Sequence, residues 1–310
     1  MVLPIRSDRP AVNRSGAARA TIALGTVGML LIVCMPTTIS AAEQKDDGEK
    51  PDHEKLLALF VSEFVPITPG KESFPNSFSM GSSQGPANER PAHNVAFDYA
   101  FAIAKYEVPQ DLYEAVMGKN PSTWGGPRNA VEMMTFKEAG TFCERITQLL
   151  RAAELLDADE VIRLPSEAEW EYCCRAGTKT AYSFGEGATR EGDDDTKHRA
   201  SALDPFGWHT GNAAGNDPPV GALKPNAWGL YDMHGYLWEY VADDWHANYD
   251  GAPGTGRSWG ASNRNSPRTI RGGSWRDRHE LLRSTTRWSL PDHVRSDAIG
   301  FRCVRAQVED

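Results

Sequence analysis

Apolar residues fall into three regimes along the 310-residue chain. Residues 20–35 (ATIALGTVGMLLIVCM) are an unbroken apolar run of 16, preceded by Arg6, Arg9, Arg14 and Arg19 and followed by the small residues TTISAA. That order predicts a secretory signal peptide over residues 1–42, with Ser40 and Ala42 as one −3/−1 cleavage pair. The run is short for a membrane span, which needs about 20 residues, so an uncleaved anchor is the alternative. Val33 stands before Cys34 where a lipoprotein signal needs a small residue, so no lipid is expected there. Residues 43–54 (EQKDDGEKPDHE) are charged and lack aromatic and β-branched side chains, which predicts a linker. A single folded domain is expected over 55–310.

Within that domain the apolar spacing is periodic up to about residue 177. Residues 55–64 (KLLALFVSEF) are apolar enough to start the fold. Residues 78–82 and 89–93 read as strand, glycine turn and polar loop, with a strand over 94–104 after them. Residues 108–117 read as a short helix, with Pro109 in its first turn and Gly118 ending it. Thr135-x-x-Glu138 is a capping box opening the longest helix, to about residue 156, with Phe142, Ile146, Leu149 and Leu150 on its core face. Ser166-x-x-Glu169 is a second capping box, opening a helix that ends near Gly177. Trp170, Cys173 and Cys174 share its inward face. Beyond Thr178 the period fades. Seven of the nine tryptophans lie there among many Gly, Pro and Asn residues, which predicts a loop-rich region held by aromatic packing.

Charge narrows the partners. The leader carries four arginines against one aspartate, so its removal takes the formal charge from −9 to −12. An acidic chain with no basic block is a poor match for nucleic acid or for an anionic membrane. Four cysteines remain (Cys143, Cys173, Cys174, Cys303), an even number that invites disulfides in an exported protein, with three pairings open. Their wide spacing is not a zinc pattern.

Few stretches carry recognisable chemistry. There is no phosphate-binding loop, dinucleotide fingerprint or nucleophile elbow, and the histidines form no metal-ligand motif. Asp232 and Glu239 are seven apart with Gly235 between them. Such a loop can turn two carboxylates and several carbonyls onto one point, a hard-oxygen set suited to Ca²⁺. Equally, both acids can be solvated beside core tryptophans. Arg276, Asp277, Arg278, His279 and Arg287 form a polar cluster after the Gly272-Gly273 turn. Arginine forks there could take a carboxylate, a sulfated or phosphorylated group, or a sugar. As an alternative the cluster is a solvated loop of weak ion pairs.

Many ordered runs together resemble the formylglycine-generating enzyme family, also called sulfatase-modifying factors. They include Phe78-Ser79-Met80-Gly81, Glu89-Arg90-Pro91-Ala92-His93, Lys105-Tyr106-Glu107-Val108-Pro109-Gln110 and Met117-Gly118-Lys119-Asn120-Pro121-Ser122. Arg163-Leu164-Pro165-Ser166-Glu167-Ala168-Glu169-Trp170, Trp228-Gly229-Leu230-Tyr231-Asp232-Met233, Arg271-Gly272-Gly273-Ser274-Trp275 and Gly300-Phe301-Arg302-Cys303 complete the set. The resemblance implies a single compact α+β domain with little regular secondary structure, related to C-type lectin-like folds. It also implies a structural calcium held by the side chains of Asp232 and Glu239 and the carbonyls of Gly235 and Leu237, although Tyr236 replaces the family's asparagine. It implies a disulfide between Cys143 and Cys303. A second would start at Cys174, but its partner position is Ser284, so Cys173 and Cys174 are expected as free buried thiols.

The same resemblance implies a copper(I) site built from two cysteines and a dioxygen-dependent oxidation of a sulfatase cysteine to formylglycine. Here the first of those positions is Asp277 and the second falls in 280–282; neither is cysteine. Copper(I) needs soft thiolates, so copper is not expected. Ser274 and Arg287 match the neighbouring cleft. The favoured expectation is therefore an exported binding or accessory domain without thiol oxidation. Ser274, Arg276, Asp277 and Arg287 would line its cleft, and its partner would be a peptide, a glycan or a co-exported protein, a sulfatase among them. The other expectation is an oxidoreductase, by an altered site or with another metal.

Overall fold

The computed structural model describes residues 52–308, except 216 and 261–265; the leader and residues 43–51 of the linker lie outside the described residues. The first helix, α1 (His53–Ser62), begins inside the stretch read as linker, because the Asp52 side chain caps it by accepting from the Glu54 N–H at 3.1 Å. No helix among the described residues is long and apolar enough to cross a membrane.

The strands β1 (Phe64–Ile67), β2 (Ser77–Met80), β3 (His93–Ala96) and β4 (Phe101–Ala104) follow. The continuous strand expected over 94–104 is split into β3 and β4, which belong to different sheets. Next come α2 (Gln110–Met117), α3 (Phe136–Ala152), β5 (Glu160–Arg163) and α4 (Glu167–Arg175). The remainder supplies β6 (Trp238–Asp244), β7 (Arg268–Arg271), β8 (Arg287–Leu290), β9 (Ile299–Gly300) and β10 (Val304–Gln307), separated by long loops.

One antiparallel sheet runs β1-β4-β10-β5, and another runs β8-β7-β6-β9, with β6 and β9 parallel; β2 and β3 pair alone. The fold is α+β with short elements, as expected. Both capping boxes form: Thr135 with Glu138 on α3, and Ser166 with Glu169 on α4. Helix α2 stops at Gly118 in the left-handed region, φ 79°.

Two apolar clusters carry the core. Phe142, Ile146 and Leu150 of α3 pack with Tyr113 and Phe301, and Trp170, Cys173 and Cys174 of α4 pack with Trp228, Leu230 and Val241. Every residue of α4 is buried, including Glu167, Glu169, Glu171 and Arg175. A helix with charge on its buried faces needs a partner for each group. Arg287 grips Glu167 at 2.7 Å through two nitrogens, Arg163 grips Glu169 likewise, and Glu171 takes Arg271 and Arg175. This ion-paired helix is the post against which the loops carrying the candidate site are set.

Candidate functional site

The Gly-Gly turn after β7 works by close approach. A Cβ on Gly273 would stand 2.7 Å from Leu282 Cδ1 and 2.8 Å from the Leu281 carbonyl, at φ +75°. Beyond it the chain closes a tight turn: the Asp277 N–H donates to the Ser274 carbonyl at 3.0 Å. One Asp277 oxygen, Oδ2, then accepts from the Ser274 N–H (3.0 Å), the Ser274 hydroxyl (2.6 Å) and Trp238 Nε1 (2.8 Å). Ser274 is 1% exposed and Asp277 9%. Three donors on one oxygen hold the carboxylate in a structural role.

The four residues read as one cleft do not converge. Ser274 and Asp277 share the turn just described. Arg276 points outward, over the Trp275 ring at 4.6 Å and onto Asp297. Arg287 is 1% exposed and spent on Glu167 and the carbonyls of Asn88 and His246. It is a pillar of the core and not a cleft wall.

The loop before β6 has a different character. Glu239 Oε1 and Oε2 receive Arg302 at 2.7 and 2.6 Å, and Oε2 also receives Trp170 Nε1 at 2.9 Å. Its side chain is therefore committed to Arg302, which departs from the ligand role that the resemblance implied. A third buried carboxylate, Glu107, feels the charges of both Asp232 and Glu239. Its Oε1 accepts from the Leu237 N–H at 3.1 Å, and its Oε2 is buried with no partner among the described residues. Asp232 Oδ2 accepts from the Gly221 N–H at 2.8 Å, and its Oδ1 is likewise buried with no partner among the described residues. Burial pushes the Asp232 pKa up to about 6; burial and then the Asp232 and Glu239 charges push Glu107 well above the usual carboxylate range. Two buried carboxylates, each with one oxygen lacking a partner among the described residues and Glu107 feeling the Asp232 charge, fit a bound cation, and hard oxygens fit calcium. Among the described residues no group of three His, Cys, Asp or Glu side chains converges on a point, so backbone carbonyls would have to complete the set.

Local backbone geometry supports that loop. Asp232 (φ 59°), Gly235 (φ 107°) and Tyr236 (φ 121°) all have positive φ. For an aromatic residue this is strained, at a cost on the order of 1–3 kcal/mol. Tyr236 is held there by its hydroxyl, which donates to the Pro218 carbonyl at 2.7 Å.

With this geometry in view, the comparisons decide the family. Residues 61–307 match the Sulfatase-modifying factor enzyme 1-like domain. The chain belongs to the sulfatase-modifying factor family.

Among its relatives, the formylglycine-generating enzyme of Thermomonospora curvata is 33% identical over 46% of this chain and 48% of its own length. The mouse protein named inactive Cα-formylglycine-generating enzyme 2 is 26% identical over 83% of this chain and 78% of its own. The solved structure of PvdO from Pseudomonas aeruginosa superposes with TM-score 0.63 at 28% identity, covering 77% of this chain and 97% of that one. This chain spans about half the length of the matched formylglycine-generating enzymes from Thermomonospora curvata and Mycobacterium tuberculosis.

As a sulfatase-modifying factor, the chain lacks the thiolate pair in the turn where the resemblance places it. The described cysteines all lie elsewhere and are all buried. Cys143 and Cys303 do come together, but as free thiols with sulfurs 4.0 Å apart. In this structure the two stand as thiols in contact, and the bond that the resemblance implies stays a proposal. Cys174 lies beside Ser284 and has its sulfur 3.8 Å from His234 Nδ1. This is not a reactive dyad. Burial pushes the thiol up to about 12 and the imidazole down to about 4, so both are neutral near pH 7. His234 Nε2 accepts from the Ser183 N–H at 2.9 Å, so Nδ1 carries the proton and donates to the Leu282 carbonyl at 2.8 Å. The donor set around Asp277, a carboxylate with hydroxyl and indole donors, does not fit copper(I).

Sequence reasoning missed Glu107 and Arg302 as site residues. Each sat inside a run that carried the resemblance. The signal present was a lone charge among apolar neighbours, Tyr106-Glu107-Val108 and Phe301-Arg302-Cys303.

Proposed function

We propose that the protein is an exported binding or accessory member of the sulfatase-modifying factor family, without the thiol-oxidising chemistry. The observation that carries this reading is Asp277: the position of the first expected copper ligand is a hard carboxylate, one oxygen of which takes three donors from Ser274 and Trp238. The likeness to a mouse relative named inactive supports it. The partner in this reading is a peptide, a glycan or a co-exported protein, a sulfatase among them. A structural calcium sits with Glu107, Asp232 and the carbonyls of Gly235 and Leu237. Its charge would neutralise two carboxylates that are otherwise buried close together, and so set the Asp232–Leu237 loop.

Two measurements test the reading. Purified protein is screened against peptide, sulfated-glycan and sulfatase panels, where specific binding is expected. The same protein is incubated with a Cys-x-Pro-x-Arg peptide, copper and dioxygen, and the peptide is weighed by mass spectrometry. Loss of the thiol to an aldehyde would overturn the reading, as would indifference to every panel alongside turnover of some other substrate.

A further inference from the structure

We infer that the cleft between the β2 strand and the C-terminal end of α4 is a binding site for a sugar-sized ligand carrying a sulfate or phosphate monoester. The inference rests on the binding-domain reading and gives that reading a place and a ligand class.

The cleft has a volume of about 600 Å³ and lies away from the Ser274–Asp277 turn. That volume falls in the usual range of small-molecule sites, roughly 300–1,000 Å³. Three of its lining side chains are cations, Arg175, Lys179 and Arg283, against one carboxylate, the exposed Glu186, one oxygen of which accepts from the Ala181 N–H at 3.2 Å.

Two of the cations are built in. Arg175 has a side chain only 7% exposed; its Nε and Nη2 both stand 2.9 Å from Glu171 Oε1, and Nη1 and Nη2 also donate to the carbonyls of Thr180 and Gly81 at 3.3 and 3.2 Å. Arg283 is forked onto Glu89 at 2.7 and 2.6 Å. Each guanidinium is thus held by a buried acid and serves as a fixed N–H donor at the wall, its fork already engaged, so the free positive charge at the cleft is that of Lys179. Lys179 is exposed at the mouth and makes no ion pair among the described residues.

The hydroxyls suit the same ligand. Ser82 Oγ accepts from both the Gln84 N–H (3.2 Å) and the Gly85 N–H (2.8 Å), so its own proton is left for an acceptor in the cleft. Ser79 is exposed on the same wall. Phe78, half-buried and edge-on to Tyr172 at 5.4 Å, offers an apolar face for a sugar ring. A wall rich in donors, with a cation at its mouth and an aromatic face, selects a sugar ester over a neutral sugar.

The test is calorimetric titration of the full chain with glucosamine 6-sulfate, glucosamine and inorganic sulfate. The ester is expected to bind, at least tenfold more tightly than either fragment, and to weaken as salt rises. Lys179→Ala is expected to cost about tenfold in Kd, the size of one charge-assisted contact. Ser79→Trp, an exposed change that fills the cleft, is expected to abolish binding with the melting temperature unchanged. Equal binding of glucosamine or of inorganic sulfate would overturn the inference, and so would an ester affinity that both variants leave intact. Retained binding to other glycans or peptides in that case would leave the binding-domain reading standing, whereas loss of all binding would remove both.

Discussion

Two sides of one loop treat carboxylates in opposite ways. On the β6 side, Glu239 has every oxygen matched by Arg302 and Trp170. On the other side, Glu107 and Asp232 each keep one buried oxygen without a partner. All three acids are at most 2% exposed, so burial does not distinguish them. What differs is the supply of fixed cations. Arg302 reaches one acid with two nitrogens of its fork and leaves one oxygen on each of the other two without a partner among the described residues. Whether a buried carboxylate stays open to a cation depends on which side chains have already paired with it, and spacing along the chain does not report that.

The largest test removes the answer. Arg302→Ala strands Glu239 as an uncompensated buried charge and should cost about 3–5 kcal/mol, read as a lower urea midpoint at constant slope. Replacing both partners by methionine should recover most of that loss. If Arg302→Ala costs under about 1 kcal/mol, the pair is not the matched half of the comparison.

The next test titrates the unmatched half. Asp232 and Glu107 bind protons more tightly folded than unfolded. Their contribution is therefore fully present below the unfolded carboxylate range and is lost as pH rises through the folded pKa values, about 6 for Asp232. With chelator present, melting temperature should fall between pH 4 and 7, with a penalty on the order of 3 kcal/mol from Asp232 alone. Calcium should restore it, and more strongly at pH 7 than at pH 5. A flat profile with no calcium response would remove the calcium reading.

A finer version separates the two acids. Glu107→Gln keeps an acceptor for the Leu237 N–H and deletes the charge. It should abolish the calcium response while leaving the chelated protein at pH 7 at least as stable as before. Glu239→Gln should do the reverse, lowering stability with or without calcium. The smallest expected effect is at the turn. Asp277→Ala leaves the Ser274 N–H and Trp238 Nε1 without their acceptor and should cost about 1–3 kcal/mol. Asp277→Cys should yield no aldehyde on a Cys-x-Pro-x-Arg peptide, because a lone thiolate does not make the pair that copper(I) needs.

Local chemistry was legible in the chain. Capping boxes at Thr135 and Ser166 and the stop at Gly118 read correctly, because each is a contact between residues three or four apart or a single backbone angle. Helix α4 read less well. Its Trp170, Cys173 and Cys174 face was visible, yet its glutamates are buried too. The arginines that permit this, Arg271 and Arg287, lie 100 and 120 residues away.

By itself, the order of residues determined the family, the α+β class and the loss of cysteine at position 277, since these depend on which side chains are present. Only the folded chain decided that Arg287 is a core pillar, that Arg276 leans on Asp297, and that Glu239 is matched by Arg302 while Glu107 keeps an oxygen without a partner among the described residues. Those outcomes are competitions among charges brought together from distant segments, and the winner is set by who arrives within hydrogen-bonding reach in a dry interior, where an unanswered charge is costly.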